Sequence, residues 1–422
     1  MTNKNARMVP PKLSISRRQI LKGVAGAVSL ASVGLPLRSV FAEPVKEVTI
    51  GMVAPLSGPW ARPGILMRAG AEMAIESINA AGGIKALGGA KMKLVVADAG
   101  DSADRAAAAV RGLIAANPEV VAGSGSWLSS LTLAVTEVTE REKLPWMTFS
   151  FSDRITERGF QYVFQTAPRA TTFADKAAPA AAALAKSAGA PFSKIAAIYD
   201  NTPNPTGFVV ELKNKVLPGM GATLVLDEVY TPPLSDATAL VQRLRRVRPD
   251  ALYLIATNPQ DYKLLLDKLH EYHIALPLLG HGGPVLDPAV LAAVGVPGLD
   301  GFIATVSAWP NKYHTALEKA FMARTKEPYM TQDAIVPWAE MHILKEALEL
   351  TGKVDRVALG ATMHKMSLTQ EQVGNVYPGG VSYDEHGLRR GETVMLAQWQ
   401  NGHPTLVFPS ELAAAPPVWP KA

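Results

Sequence analysis

"VTIGMVAPLSGPWARPGILMRAGAEMAIESINAAGG", residues 48–83, decides the fold. Its first nine residues, Val48 to Leu56, form an uncharged, largely apolar run, the signature of a strand buried on both faces. Ser57-Gly58-Pro59 turns the chain. Beyond the turn, Leu66, Ala69, Met73, Ile75 and Ile78 mark the apolar side of a helix, and Gly82-Gly83 stop it. A buried strand that turns into an amphipathic helix is half of a βαβ unit.

Working outward, the same alternation repeats. Strands are expected at "KLVVADA" (93–99), "VVAGSGS" (120–126) and "PWMTFSFS" (145–152), with helices at 103–117 and 131–144 between them. These make one doubly wound lobe. The pattern restarts with a helix over 173–188 and strands "KIAAIYD" (194–200), "TLVLDEVY" (223–230), "DALYLIAT" (250–257) and "PLLGHGG" (277–283). Helices are expected over 209–217, 237–247 and 261–272. "GFIATVSAW" (301–309) and a long helix over 338–350 follow, and 391–409 reads as a β-hairpin turning at Asn401-Gly402. The expected fold class is α/β, with two doubly wound parallel-sheet lobes. The Ala/Pro-rich end, 411–422, reads as a frayed tail.

Residues 1–42 read as an export signal. Arg17-Arg18 in "SRRQILK" has the twin-arginine pattern, with Ile20 at the usual Phe position, and Val40-Phe41-Ala42 suits signal peptidase. This segment holds seven bases (Lys4, Arg7, Lys12, Arg17, Arg18, Lys22, Arg38) and no acid. Taking those seven from the 42 Lys and Arg leaves 35 against 37 Asp and Glu, so the formal charge moves from +5 to −2. The basic balance belongs to the leader and argues for no nucleic-acid partner. With Cys absent, disulfides, thiolate metal sites and a lipid anchor are excluded. The expected location is a Gram-negative periplasm, without a membrane anchor.

In open parallel sheets a ligand sits beyond the carboxyl ends of the strands. The strand-end loops here are "PLSGPWARPG", "GSGSWLSS", "TFSFSD", "YDNTPNP", "IATNPQ" and "LGHGGP". They contain no phosphate-binding loop, no G-x-G-x-x-G and no G-x-S-x-G elbow. "HEYH" (270–273) has the wrong spacing for zinc, and Asp98 and Asp101 read as strand-end and helix-capping residues. No catalytic constellation, metal site or cofactor is expected. What recurs instead is hydroxyl, glycine and aromatic surface. Ser129 and Ser130 open a helix, whose free N–H groups receive an anion. Trp60, Trp127, Phe149 and Phe151 either wall an apolar ligand body or pack in the core. Arg62 is either a bidentate carboxylate clamp or a solvated surface residue.

Five strings, in this order, resemble the periplasmic substrate-binding proteins of ABC importers, branched-chain amino acid (Leu/Ile/Val) type. They are "IGMVAPLSGPWARPG", "GAEMAIESINAAGGI", "ADAGDSADRAAAAVRGLI", "ITERGFQYVFQTAP" and "VSYDEHGLRRG", and the resemblance covers about Val45 to Phe408. It implies a type I periplasmic binding fold, with Rossmann-like lobes joined by a three-strand hinge. Lobe I would be 45–167 plus 303–375, and lobe II 168–302 plus 376–410. It also implies a monomer that serves permease subunits. The family's carboxylate-binding serine pair falls on Ser129 and Ser130, and the next contact segment on Phe149 to Ser152. The family's hydroxyl position there is Phe151, which moves that contact to Ser150 or Ser152. Pocket aromatics of the second lobe fall on Asn204 and Thr257. The acid that receives an α-ammonium falls on Gly282, with His281 a poor substitute.

The resemblance therefore keeps the acid-binding half of the site and loses the amine-binding half. The expected function is a non-enzymatic solute receptor for a small carboxylate: an amino acid, an amino-acid-like compound or an aromatic or apolar acid. A sensor protein with the same fold is the alternative, and a periplasmic hydrolase is the reading with least support.

Overall fold

The computed structural model describes residues 45–420. The export-signal reading of residues 1–42 lies outside them. The chain runs β1 (Glu47–Ala54), α1 (Ala61–Ala80), β2 (Lys91–Asp98), α2 (Ala103–Ala116), β3 (Ala122–Gly125), α3 (Ser129–Arg141), β4 (Trp146–Thr148) and β5 (Val163–Gln165). All five strands are parallel, in the order β2-β1-β3-β4-β5. β1 is buried at every residue but its first, as its uncharged run requires of a central parallel strand.

A second sheet follows from α4 (Ala170–Ser187), β6 (Lys194–Asp200), α5 (Pro203–Glu211), α6 (Leu217–Gly219), β7 (Thr223–Tyr230), α7 (Thr238–Val247), β8 (Ala251–Ile255), α8 (Pro259–Glu271), β9 (Leu278–His281), α9 (Pro288–Val294), α10 (Val296–Leu299) and β10 (Ile303–Val306). Helices α11 (Thr315–Thr325), α12 (Gln332–Thr351) and α13 (Arg356–Lys365) come next, then a small ladder of β11 (Ser367–Leu368) and β12 (Val381–Ser382). The hairpin β13 (Met395–Gln400) and β14 (His403–Phe408) completes the second sheet, ordered β14-β13-β10-β9-β8-β6-β7. Its turn has φ of 54° at Asn401 and 79° at Gly402, both left-handed, as a two-residue hairpin demands.

Helix α12 packs back on α1 of the first lobe. Their closest approach is at Gly70, where a Cβ would stand 2.0 Å from the Ala334 carbonyl oxygen, so only glycine fits. The chain therefore crosses between lobes three times: at 166–169, at 307–314 and between β12 and β13. Two expectations are corrected. Lobe I does not resume at 303 or end at 375, because β10 pairs with β9 and β13 in the second sheet while Leu388 still bridges to Gln165 of β5 in the first. The tail is not frayed. Gln398 exchanges two hydrogen bonds with the Val418 backbone (2.5 and 2.9 Å), and Trp419 packs edge-on against Phe192 at 5.9 Å. Apolar burial and ladder-like pairing hold a segment whose composition alone suggests disorder.

The sheets' outer faces are covered by separate clusters, around Trp146 and Val110 in the first lobe and around Tyr262 and Trp399 in the second. A larger cluster runs continuously from β1 and α12 through Phe151 and Phe173 to β6 and β8. Apolar packing thus links the two sheets.

Candidate functional site

The parallel strands of both sheets reverse direction of growth between β1 and β3 and between β6 and β8, which is where crevices open. Two carboxylates, Asp98 partly exposed and Asp200 buried, fix the loops there. Asp98 accepts from the Leu56 and Gly100 N–H groups (both 2.8 Å) and from the Ser57 hydroxyl (2.6 Å). Asp200, at the end of β6, accepts from the Thr202 N–H at 2.9 Å and the Thr257 N–H at 2.6 Å, tying the loops after β6 and β8 together. Burial pushes the Asp200 carboxyl up while those donors pull it down.

Between the lobes these loops line a partly open cavity in which the centre of a water molecule can occupy about 40 Å³. That is room for about three waters. Eight sequence-derived candidates line this cavity: Trp127, Ser129, Phe149, Ser150, Phe151, Asn204, Thr257 and His281. Three do not. Trp60 packs against the outer core of the first lobe. Arg62 is taken by carboxylates, its Nε 2.5 Å from Asp287 and its Nη2 2.6 Å from Glu327, so the carboxylate-clamp reading is corrected to an ion pair across the lobes. Ser130 is half-exposed on the second residue of α3, and its side chain forms no part of the wall.

The candidates that do line the cavity divide by role. Ser150 is consumed by structure: its hydroxyl donates to the Trp127 carbonyl at 2.6 Å and lies 2.6 Å from the Thr132 hydroxyl. Ser129 is different, because its Oγ accepts only the Ser152 N–H, at 3.3 Å, and keeps its proton to give. Helix α3 has no side-chain cap, so the first-turn N–H groups of Ser129, Ser130 and Leu131 remain available. Phe151, Phe173, Phe208 and His281 form an aromatic cluster, with His281 stacked on Phe208 at 4.5 Å. Burial pushes the His281 imidazole down to about 3, so it is neutral. Its Nε2 donates to Asn204 Oδ1 at 2.7 Å, and its Nδ1 faces the Thr305 hydroxyl at 3.2 Å.

Trp127 is the strained member. Ser126 and Trp127 carry consecutive left-handed φ values of 79° and 50°. Such residues cost about 1–3 kcal/mol each and persist only when neighbours hold them. Here the Ser126 N–H bonds to Val53 O (2.6 Å), Ser150 holds the Trp127 carbonyl, and the indole N–H donates to Asp333 at 3.0 Å. Asp333 is fully buried, and burial pushes its carboxyl up to about 7.

Two residues at the start of α12 escape a sequence reading: Gln332, which lines the cavity, and Asp333, which holds the Trp127 indole behind it. Pro337 inside that helix reads as a break, which shifts the expected start to Trp338. Thr331-Gln332-Asp333 ahead of an apolar run was the available signal. Near the crossings a second buried group stands out. Glu340 accepts from the Thr166 hydroxyl at 2.9 Å and from the Ser124 hydroxyl, and Arg389 donates from Nε to the Thr166 carbonyl at 2.7 Å. Burial pushes the Glu340 carboxyl up to about 7.

Two doubly wound lobes closing on a small uncharged cavity define a two-lobed ligand-binding protein. The family model for periplasmic binding proteins matches residues 47–404, and the chain belongs to that family, whose members are substrate-binding proteins. The chain is 27% identical over 399 residues to Leu/Ile/Val-binding protein homolog 8 of Brucella abortus, covering 91% of this chain and 96% of that one. Among solved structures, it is similar to the substrate-binding protein of a branched-chain amino acid transporter from Streptococcus pneumoniae, in complex with isoleucine. There the TM-score is 0.73 at 19% identity, over 85% of this chain and 98% of that one. A solute-binding protein of an ABC transporter from R. palustris, in complex with benzoate, gives 0.71 at 20% identity over 89% and 98%. The fold is that of type I periplasmic binding proteins.

Proposed function

We propose that this protein is the periplasmic receptor of an ABC importer, which closes on a small carboxylate in the interlobe cavity and delivers it unaltered to the permease. One observation carries the reading. The Ser129 hydroxyl and the free N–H groups of the first turn of α3 meet an aromatic-walled cavity between the lobes that, among the described residues, holds no charged side chain. A carboxylate there gains charge-assisted hydrogen bonds and the helix's positive end. Trp127, Phe149 and Phe151 cover its apolar body. The relatives named above bind isoleucine and benzoate, and both are carboxylates with apolar bodies. The room left for water is smaller than any such ligand, so entry needs the lobes to part at the three crossings and closure to follow binding. Cleavage of an export signal after Ala42 and a monomeric state complete the proposal.

A thermal-shift panel of amino acids and aromatic or aliphatic carboxylates tests it, since a ligand at 100 Kd adds about 2.7 kcal/mol. Ser129→Ala is expected to weaken binding by roughly 10- to 100-fold, the worth of a hydrogen bond to a charged group, with the ligand-free melting temperature unchanged. Unchanged affinity rejects the carboxylate role. Chemical turnover of a bound ester or amide rejects the receptor role.

A further inference from the structure

We propose that the ligand is an ammonium-free carboxylate carrying a second, uncharged oxygen acceptor, a 2-oxo acid being the simplest case. This deepens the carboxylate reading above and rests on it. Apart from the unpartnered Thr257 hydroxyl, which can both give and accept, the polar side chains around the cavity face it with donors. Ser129 Oγ accepts the Ser152 N–H, which leaves its proton for the ligand. Gln332, almost fully buried on the first residue of α12, accepts the Ser307 N–H (3.3 Å) and hydroxyl (3.4 Å) on Oε1. A backbone N–H can only donate, so this bond fixes the amide's orientation and turns Nε2 the other way. There it lies against Gly283, where an added Cβ would stand 2.5 Å from Nε2, and it has no partner among the described residues. Asn204 Oδ1 is taken by His281 Nε2, and its Nδ2 likewise has no partner among the described residues.

Of the carbonyls of the aromatic wall, those of Trp127, Ser150 and Phe151 are engaged, and that of Phe149 has no partner among the described residues. Trp127 O takes the Ser150 hydroxyl, Ser150 O takes Gln165 Nε2 at 2.8 Å, and Phe151 O takes the Ala170 N–H at 2.7 Å. An α-ammonium brings three donors and needs acceptors or a carboxylate. Among the described residues no carboxylate lines the cavity, Asp333 is turned to the Trp127 indole, and Asp200 is taken by Thr202 and Thr257. The acid is served by Ser129 and α3, so the amides of Asn204 and Gln332 are left for another acceptor. A second carboxylate is excluded by charge, since no Lys or Arg lines the cavity. A keto or similar oxygen satisfies both amides without a counter-ion.

Calorimetric titration of the purified protein with two matched series tests this. The first is 4-methyl-2-oxopentanoate, 4-methylpentanoate and leucine; the second is phenylpyruvate, 3-phenylpropanoate and phenylalanine. Within a series the oxo acid is expected to bind tightest. The plain acid should fall roughly 5- to 30-fold and the amino acid roughly 100-fold or more. An amino acid that equals its oxo acid, or a plain acid that equals it, overturns this inference and leaves the receptor reading intact. Failure of all six overturns both. Gln332→Glu keeps the Ser307 bonds and replaces the inward donor with an acceptor. It should weaken the oxo acid at least ~10-fold and narrow the gap to the amino acid, with the ligand-free melting temperature as the folding control. An unchanged ranking overturns the inference.

Discussion

The Arg62–Asp287 pair invites the sharpest test, because it is where an arginine suited to a ligand instead joins the lobes. Its partner is 3% exposed and Arg62 is 35% exposed, at 2.5 Å. With charge centres roughly 4 Å apart and an effective dielectric near 20, the gross attraction is about 4 kcal/mol. Two effects reduce it. Burial pushes the Asp287 carboxyl up against the pull of Arg62, and the open face of the guanidinium is screened by water. A net coupling of about 1–2 kcal/mol remains. Arg62→Ala and Asp287→Asn should each lower stability by about 2 kcal/mol, the second keeping an oxygen for the Ala289 N–H. The double variant should lose about 1–2 kcal/mol less than their sum. Urea unfolding of the four ligand-free proteins measures this directly. Strict additivity, within about 0.3 kcal/mol, would refute the ion-pair account. So would a gain in carboxylate affinity on Asp287→Asn, which would show Arg62 released to serve the ligand.

Two further outcomes are expected. Glu340 titrates near 7 when folded against an ordinary 4.5, so the folded state holds the extra proton. Its contribution is full below pH 4.5 and is lost as pH rises to about 7, a fall of about 3 kcal/mol. Glu340→Gln should remove that fall, gaining on the wild type between pH 5 and pH 8 in urea midpoints; parallel pH profiles would contradict it. Truncation after Ser410 removes Trp419 from Phe192 and the Val418 bonds from Gln398, and should lower Tm by a few degrees. An unaltered Tm would restore the frayed reading.

The parallel strands were legible because burial on both faces leaves uncharged runs that polar periodicity does not interrupt; the expected "DALYLIAT" contains β8, which is buried throughout. Strand-end loops were legible as the site for the same topological reason, which is why Trp127, Ser129, Asn204, Thr257 and His281 meet in one cavity. The errors are of two kinds. β10 was given to the wrong lobe because strand pairing between positions as distant as Val306 and Met395 of β13 leaves no local trace. Arg62 and Ser130 lie off the cavity, and Ser150 lines it with its hydroxyl already engaged, because a residue's type states what it can bind, not which neighbour reaches it first. Ser150 is satisfied by Thr132 and Trp127, and Arg62 by acids 225 and 265 positions away. Gln332 was missed because Pro337 masks the true helix start.

The left-handed backbone at Ser126 and Trp127 sets folding against recognition. Glycine or asparagine at either position would relax the chain, yet at 127 it would also erase the indole that walls the cavity. Laboratory evolution that rewards heat resistance alone should therefore drift toward those residues and return sturdier proteins blind to their cargo.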